Sequence, residues 1–122
     1  MQDQNKGLKF DASKPRWSLL PAGTVAQVVE VLEFGARKYG DNNWQKVENA
    51  RTRYYDAAMR HLEAWRNGEH KDHESGAAHL AHATCCLLFL MYMDDQYNDD
   101  AVPQLQEEAK ALYRDLYGAE FK

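Results

Sequence analysis

The stretch Asp72 to Met93, DHESGAAHLAHATCCLLFLMYM, constrains the fold most, because it reads as a helix with no continuous polar face. From Gly76 onward nearly every position is apolar or small, and such a helix belongs in the middle of a bundle. It nevertheless carries two histidines. At about 100° per residue, Ser75, His79, His82 and Cys86 fall on one stripe, with Glu74 where the helix is expected to begin. A polar stripe on a buried helix is strongly destabilising unless it is paired, so it demands partners, water or a metal.

The remaining chain is long enough for one domain and no more: 122 residues, 44% of them apolar. A net charge of −4 gives no general attraction to nucleic acid, so no stable nucleic-acid binding is expected and any phosphate recognition must be local. The apolar run Ala77 to Met93 is interrupted by His79 and His82 and is marginal for a membrane span. No signal peptide is legible in MQDQNKGLKF, and the expectation is a soluble, cytoplasmic protein without membrane contact. Cys85 and Cys86 are adjacent in the helix, where a mutual disulfide would be badly strained, and read as reduced core residues.

Residues 1–20 gather Lys6, Lys9, Lys14 and Arg16 among Phe10, Pro15 and Trp17. This is either a solvated arm pinned by its aromatics or a basic flap over an anionic ligand, with Lys14 or Arg16 on phosphate and Trp17 stacking. A first helix is expected from Thr24 to Tyr39, opened by a Thr24/Gln27 capping box and stopped by Gly40. Its buried stripe would be Val25, Val28, Val29, Leu32, Ala36 and Tyr39. Glu30 and Glu33 on its flank can hold a cation or, for Glu33 with Arg37, form an ordinary surface pair.

Gly40 to Thr52 reads as loop, where Trp44 beside Asn43 either caps the core or faces a ligand base. A second helix runs from about Arg53 to Asn67 and ends at Gly68; Tyr54, Ala58, His61 and Trp65 share its inner face. A lone inward histidine is usually a satisfied core residue, but His61 joins His79 and His82. The connection Gly68 to Glu74 is acidic and histidine-rich, with Asp72 placed to cap the next helix. After a polar linker, Pro103 to Gly118 forms a last helix with Leu105, Ala109, Leu112 and Leu116 on its apolar stripe.

Four helices with short connections define an all-α bundle covering residues 1–122, and bundles build metal sites from inward ligands on facing helices. The facing candidates are His61 against His79 and His82, with Asp72 and Glu74 nearby. Imidazole and carboxylate together suit manganese, iron or zinc better than magnesium. An all-round apolar helix in so small a chain also predicts pairing with copies, as a homodimer or homotetramer.

The strings LKFDASKPRWSLLP, VLEFGARKYGDNNW, RYYDAAMRHLEAWRNGE and DHESGAAHLAHATCCLLFL together resemble the phage dATP/dGTP diphosphohydrolases, a MazZ-like branch of the MazG-like all-α nucleoside triphosphate pyrophosphohydrolases. The likeness covers residues 8–93. It implies a MazG-like helical bundle and a divalent metal, Mn2+ or Mg2+, serving a cut between the α and β phosphates of a purine deoxynucleotide. A metal-bound water, with no protein nucleophile, would be the attacking group. Some relatives serve phages that replace adenine with 2-aminoadenine. The wider group holds its cations with an ExxE and an ExxD pair, and by position this chain puts His61 and Ala64 at the first and His79 and His82 at the second.

That departure leaves oxygens to be supplied by Asp72, Glu74 and either Glu30 or Glu33. The implied ligands are therefore His61, Asp72, Glu74, His79 and His82. Phosphate contact falls to Lys14, Arg16, Lys38 and Arg60, and base recognition to Trp17, Asn43 or Trp44. Lys38 also reads as an ordinary helix C-terminal charge, and Arg60 as an i,i+4 partner of Asp56. Two other readings compete: an HD-type metal phosphohydrolase, and a small helical interaction protein whose histidines form a buried hydrogen-bond network.

Overall fold

The computed structural model describes residues 6–95 and 102–118, all of it helix, turn and loop apart from one isolated β-bridge. The four helices are α1 (Thr24–Tyr39), α2 (Ala50–Arg66), α3 (His79–Asp94) and α4 (Val102–Tyr117). Short 3₁₀ turns at Trp17–Leu19 and Asn43–Lys46 precede α1 and α2. The linker expected between α3 and α4 lies largely outside the described residues.

α3 packs along α2 and also against α1, so the all-round apolar helix does take the central place. It does so through small side chains: Ala81, Ala83, Cys85 and Cys86 are buried, and Ala58 of α2 is 3% exposed. Small residues let helix axes approach closely, at the cost of a thin core. Among the described residues, no large side chain is completely buried. The core between α1 and α3 consists of Val28, Val31, Ala78, Ala81 and Cys85, with Phe89 packed at its edge. The Cys85 thiol donates to the Val28 carbonyl at 3.4 Å, and burial pushes its pKa up to about 12. Both cysteines are free, as expected.

Three local expectations are corrected. The capping box does not form: the Thr24 hydroxyl donates to the Pro21 carbonyl and the Gln27 amide to the Gly23 carbonyl, while Gly23 occupies the cap in the left-handed region. The buried stripe of α1 is also narrower than its apolar stripe. Val28 and Val31 are buried, whereas Val25, Val29, Leu32 and Tyr39 stay exposed, because α3 alone packs heavily on this helix.

The third correction concerns the start of α3, which begins at His79 rather than near Asp72. Asp72 does cap, but it caps a turn: its Oδ2 accepts from the backbone N–H groups of Glu74 and Ser75. Gly76 then takes φ +73°, and the Lys71–Ala78 bridge closes the loop through Asp72 N–H to Ala77 O and His79 N–H to His70 O. A left-handed residue between two helical segments breaks the helix, and glycine adopts it without strain. α4 is apolar along one stripe as expected, yet Leu112 and Leu116 remain exposed.

Candidate metal centre and substrate cleft

The turn and the two helices it joins bring three candidate ligands together. One ligand atom each from His61, Asp72 and His79 lies within 4.8 Å of the others. His61 projects from the inner face of α2, His79 is the first residue of α3, and Asp72 is held by the turn between them. The His61 and His79 Nδ1 atoms face each other at 2.9 Å, a separation that fits a shared proton or two ligands of one cation. His79 is 5% exposed.

His82, one turn further along α3, stacks on His61 with ring centres 4.5 Å apart and ring planes 9° from parallel. Its Nε2 lies 2.6 Å from the Ser75 hydroxyl. Ser75 therefore reaches the histidine stripe, as the wheel predicts, but from the turn rather than from the helix. Glu74 is placed differently from the other implied ligands: its carboxylate pairs with Lys38 at the end of α1, and this hydrogen bond raises the Lys38 ammonium above its usual value.

The electrostatics of the cluster favour neutral imidazoles at His61 and His82. Burial, then the fields of His82 and His79, lower the His61 pKa; burial also lowers that of His82, against the pull of Asp72. Burial opposes the Asp72 charge, but hydrogen bonds from Ser75 and the fields of His82 and His61 outweigh it and hold the carboxyl below the usual range. Neutral imidazoles beside an ionised carboxylate are the protonation states that a divalent cation requires.

These shifts predict the acid response of the metal-free chain. Unfolded histidines titrate near 6.5, above the folded values of His61 and His82, so the unfolded state binds protons first. Stability should be complete above about pH 6.5 and fall as the pH drops through it, levelling off below the folded pKa values. The Asp72 contribution, present above the usual carboxylate pKa, is lost only in stronger acid. Thermal melts between about pH 8 and 5 should show this decline and a shallower one in His82→Gln; equal slopes would refute the assignment.

His82 is also one wall of a cleft of about 1010 Å³ between α1, the Gly40–Val47 loop, α2 and α3. Lys38, Asn43, Trp44 and Arg60 line it, as do Glu33, Arg53, Tyr54, Asp56 and Phe89. Trp44 packs on the edge of the core and also borders the cleft. One of its faces stacks on Phe89 at 4.5 Å and its edge meets Tyr92 at 5.1 Å, while the side chain borders the cleft. Burial raises the Tyr54 pKa, and its hydroxyl donates to the Trp44 carbonyl at 3.3 Å.

The basic arm is not brought to this place. Lys14, Arg16 and Trp17 are exposed outside the cleft lining, with Trp17 at 77%, and the aromatics that were expected to pin the arm, Phe10 included, are themselves exposed. Two groups are additions. Arg53 stands two helical turns before Arg60 and shares the cleft, a relation the i,i+7 spacing could have revealed. Glu69 lies 3.2 Å from His79 Nε2, and nothing in its loop position signals that contact.

Fold and site together define an all-α protein with a histidine–carboxylate cluster set behind a ligand-sized cleft rich in aromatic and cationic side chains. The chain belongs to the dATP/dGTP diphosphohydrolase family, whose N-terminal model matches residues 4–101. A protein of Salmonella phage PMBT28 named dATP/dGTP diphosphohydrolase is 38% identical over 112 residues, covering 84% of this chain. The chain spans 37% of that relative's length. No solved structure matches. Among the described residues, no helix is long and apolar enough to cross a membrane.

Proposed function

We propose that the chain hydrolyses purine deoxynucleoside triphosphates, converting dATP and dGTP to dAMP and dGMP with release of pyrophosphate. The observation that carries this reading is the His61–Asp72–His79 cluster beside the aromatic, cationic cleft, in a chain of this family. Two imidazoles and a carboxylate fit a divalent transition metal, with manganese the first candidate and magnesium, which prefers oxygen, the second. Such a cation, when bound, supplies Lewis-acid activation of water and charge neutralisation at phosphate.

The chain's own residues do the rest. Lys38, Arg53 and Arg60 place positive charge along the cleft for the polyphosphate, and Lys38 has to exchange Glu74 for the substrate to do so. That exchange frees Glu74 as a further oxygen donor beside Asp72. Trp44, Tyr54 and Phe89 offer an aromatic end with Asn43 able to read a base edge. Removal of dATP together with production of dGMP suits a phage that builds 2-aminoadenine DNA, and this is the setting proposed for the enzyme.

The test is a product assay with each of the four deoxynucleoside triphosphates, with and without Mn2+ or Mg2+. Monophosphate and pyrophosphate from dATP and dGTP, dependent on metal, is the expected result. Tripolyphosphate or orthophosphate would instead favour HD-type chemistry, and no turnover would favour a binding role.

A homo-oligomer completes the proposal. Apolar residues on the outer sides of α1 and α3, among them Val25, Val29, Leu80, Leu87 and Met91, stay exposed. A second copy would cover them. Light scattering should give two or four times the chain mass; a monomer would refute this.

A further inference from the structure

His79 Nε2 is buried and has no aligned hydrogen-bond partner among the described residues. A buried N–H or ring nitrogen left in that state is costly, so the nearest group able to satisfy it matters. That group is the Glu69 carboxylate, whose Oε1 lies 3.2 Å away but out of line for a hydrogen bond. Glu69 is half exposed, and the same oxygen has a weaker second neighbour, His73 Nδ1 at 3.7 Å on a ring that is 92% exposed.

On the other side of the ring, His79 Nδ1 faces His61 Nδ1 at 2.9 Å. Two bare lone pairs cannot face each other at that distance; one nitrogen carries a proton or a cation lies between them. A carboxylate can only accept, so it selects the ring form protonated at Nε2. Ser75, which meets His82 Nε2 at 2.6 Å, cannot select in this way, because a hydroxyl both donates and accepts.

We propose that Glu69 is a positioning residue for His79, holding the proton on Nε2 so that Nδ1 presents its lone pair to the space shared with His61 and Asp72. In the metal-free chain His61 Nδ1–H then donates to His79 Nδ1. This deepens, and rests on, the metal reading of the same cluster. Glu69 touches neither substrate nor the candidate cation; it acts through the orientation and basicity of the imidazole, as second partners of histidine ligands do.

The experiment uses the full chain and two independent readouts. Long-range proton–nitrogen NMR of the imidazoles, without metal, should find His79 protonated at Nε2 in the wild type and in Glu69→Gln, whose amide oxygen still accepts. Glu69→Ala should shift His79 toward the Nδ1-protonated form. Calorimetric titration with Mn2+ should show weakening of about 10- to 100-fold in Glu69→Ala and a smaller loss in Glu69→Gln. Both variants should keep the wild-type circular dichroism, since Glu69 lies in an exposed loop.

An unchanged His79 ring form in Glu69→Ala, or Mn2+ affinity within about twofold of wild type, would overturn the assignment. Absence of Mn2+ binding by the wild type would instead defeat the metal reading itself. The NMR comparison still decides the role of Glu69 in that case.

Discussion

Replacing His79 by alanine is expected to lower metal-dependent hydrolysis of dATP by about 1,000-fold or more, equivalent to ~4 kcal/mol of transition-state stabilisation. The reason is geometric. His79 opens α3, faces His61 at 2.9 Å, and is more deeply buried than either His61 or Asp72, so no side chain can move in to replace its nitrogen. The loss should fall on kcat with Mn2+ affinity reduced in parallel. His70→Gln is the control: its side chain is exposed, and the backbone carbonyl that accepts from His79 N–H is retained. Equal activity of His79→Ala and His70→Gln would refute the cluster as the reaction centre.

Truncating Trp44 to alanine is expected to have the largest effect on stability, about 2–4 kcal/mol. The indole is the meeting point of the aromatic group, stacked on Phe89, edge-on to Tyr92, and linked through its backbone carbonyl to Tyr54. In a core otherwise made of valine, alanine and cysteine, it supplies a large share of the apolar contact between the Asn43–Lys46 turn and α3. A fall in Tm on the order of 10 °C follows for a chain of this size. Trp44→Phe should recover most of it. If Trp44→Ala melts with the wild type, the indole serves the cleft alone.

Much of this arrangement is legible in the residues. The histidines of α3 and the inward face of α2 identify their partners by helical spacing alone, and Gly40, at φ +97°, ends α1 where the pattern stops. The start of α3 is not legible in the same way. DHESGAAH has the composition of a helix opening, and the outcome depends on whether the Asp72 carboxylate caps a helix or a turn; the Lys71–Ala78 bridge decides it. Periodicity also marks which faces are apolar but not which find a neighbour, so Val29 and Leu32 are predicted buried and stand exposed. Glu69 escaped because contacts made from loops leave no period in a sequence. Lys14, Arg16 and Trp17 carry suggestive chemistry, yet the fold holds them away from the cleft.

The bridged turn has a consequence for how the protein is made. His61, Asp72, Ser75, His79 and His82 all lie within residues 61–82, on one helix–turn–helix segment. Their assembly needs only short-range loop closure, the fast kind of folding event, and does not wait for α1 to dock across the longer separation of the chain. The histidine–carboxylate cluster is thus a unit of local contacts. The cleft, which takes lining from α1 and the Gly40–Val47 loop, depends in addition on contacts across that longer separation.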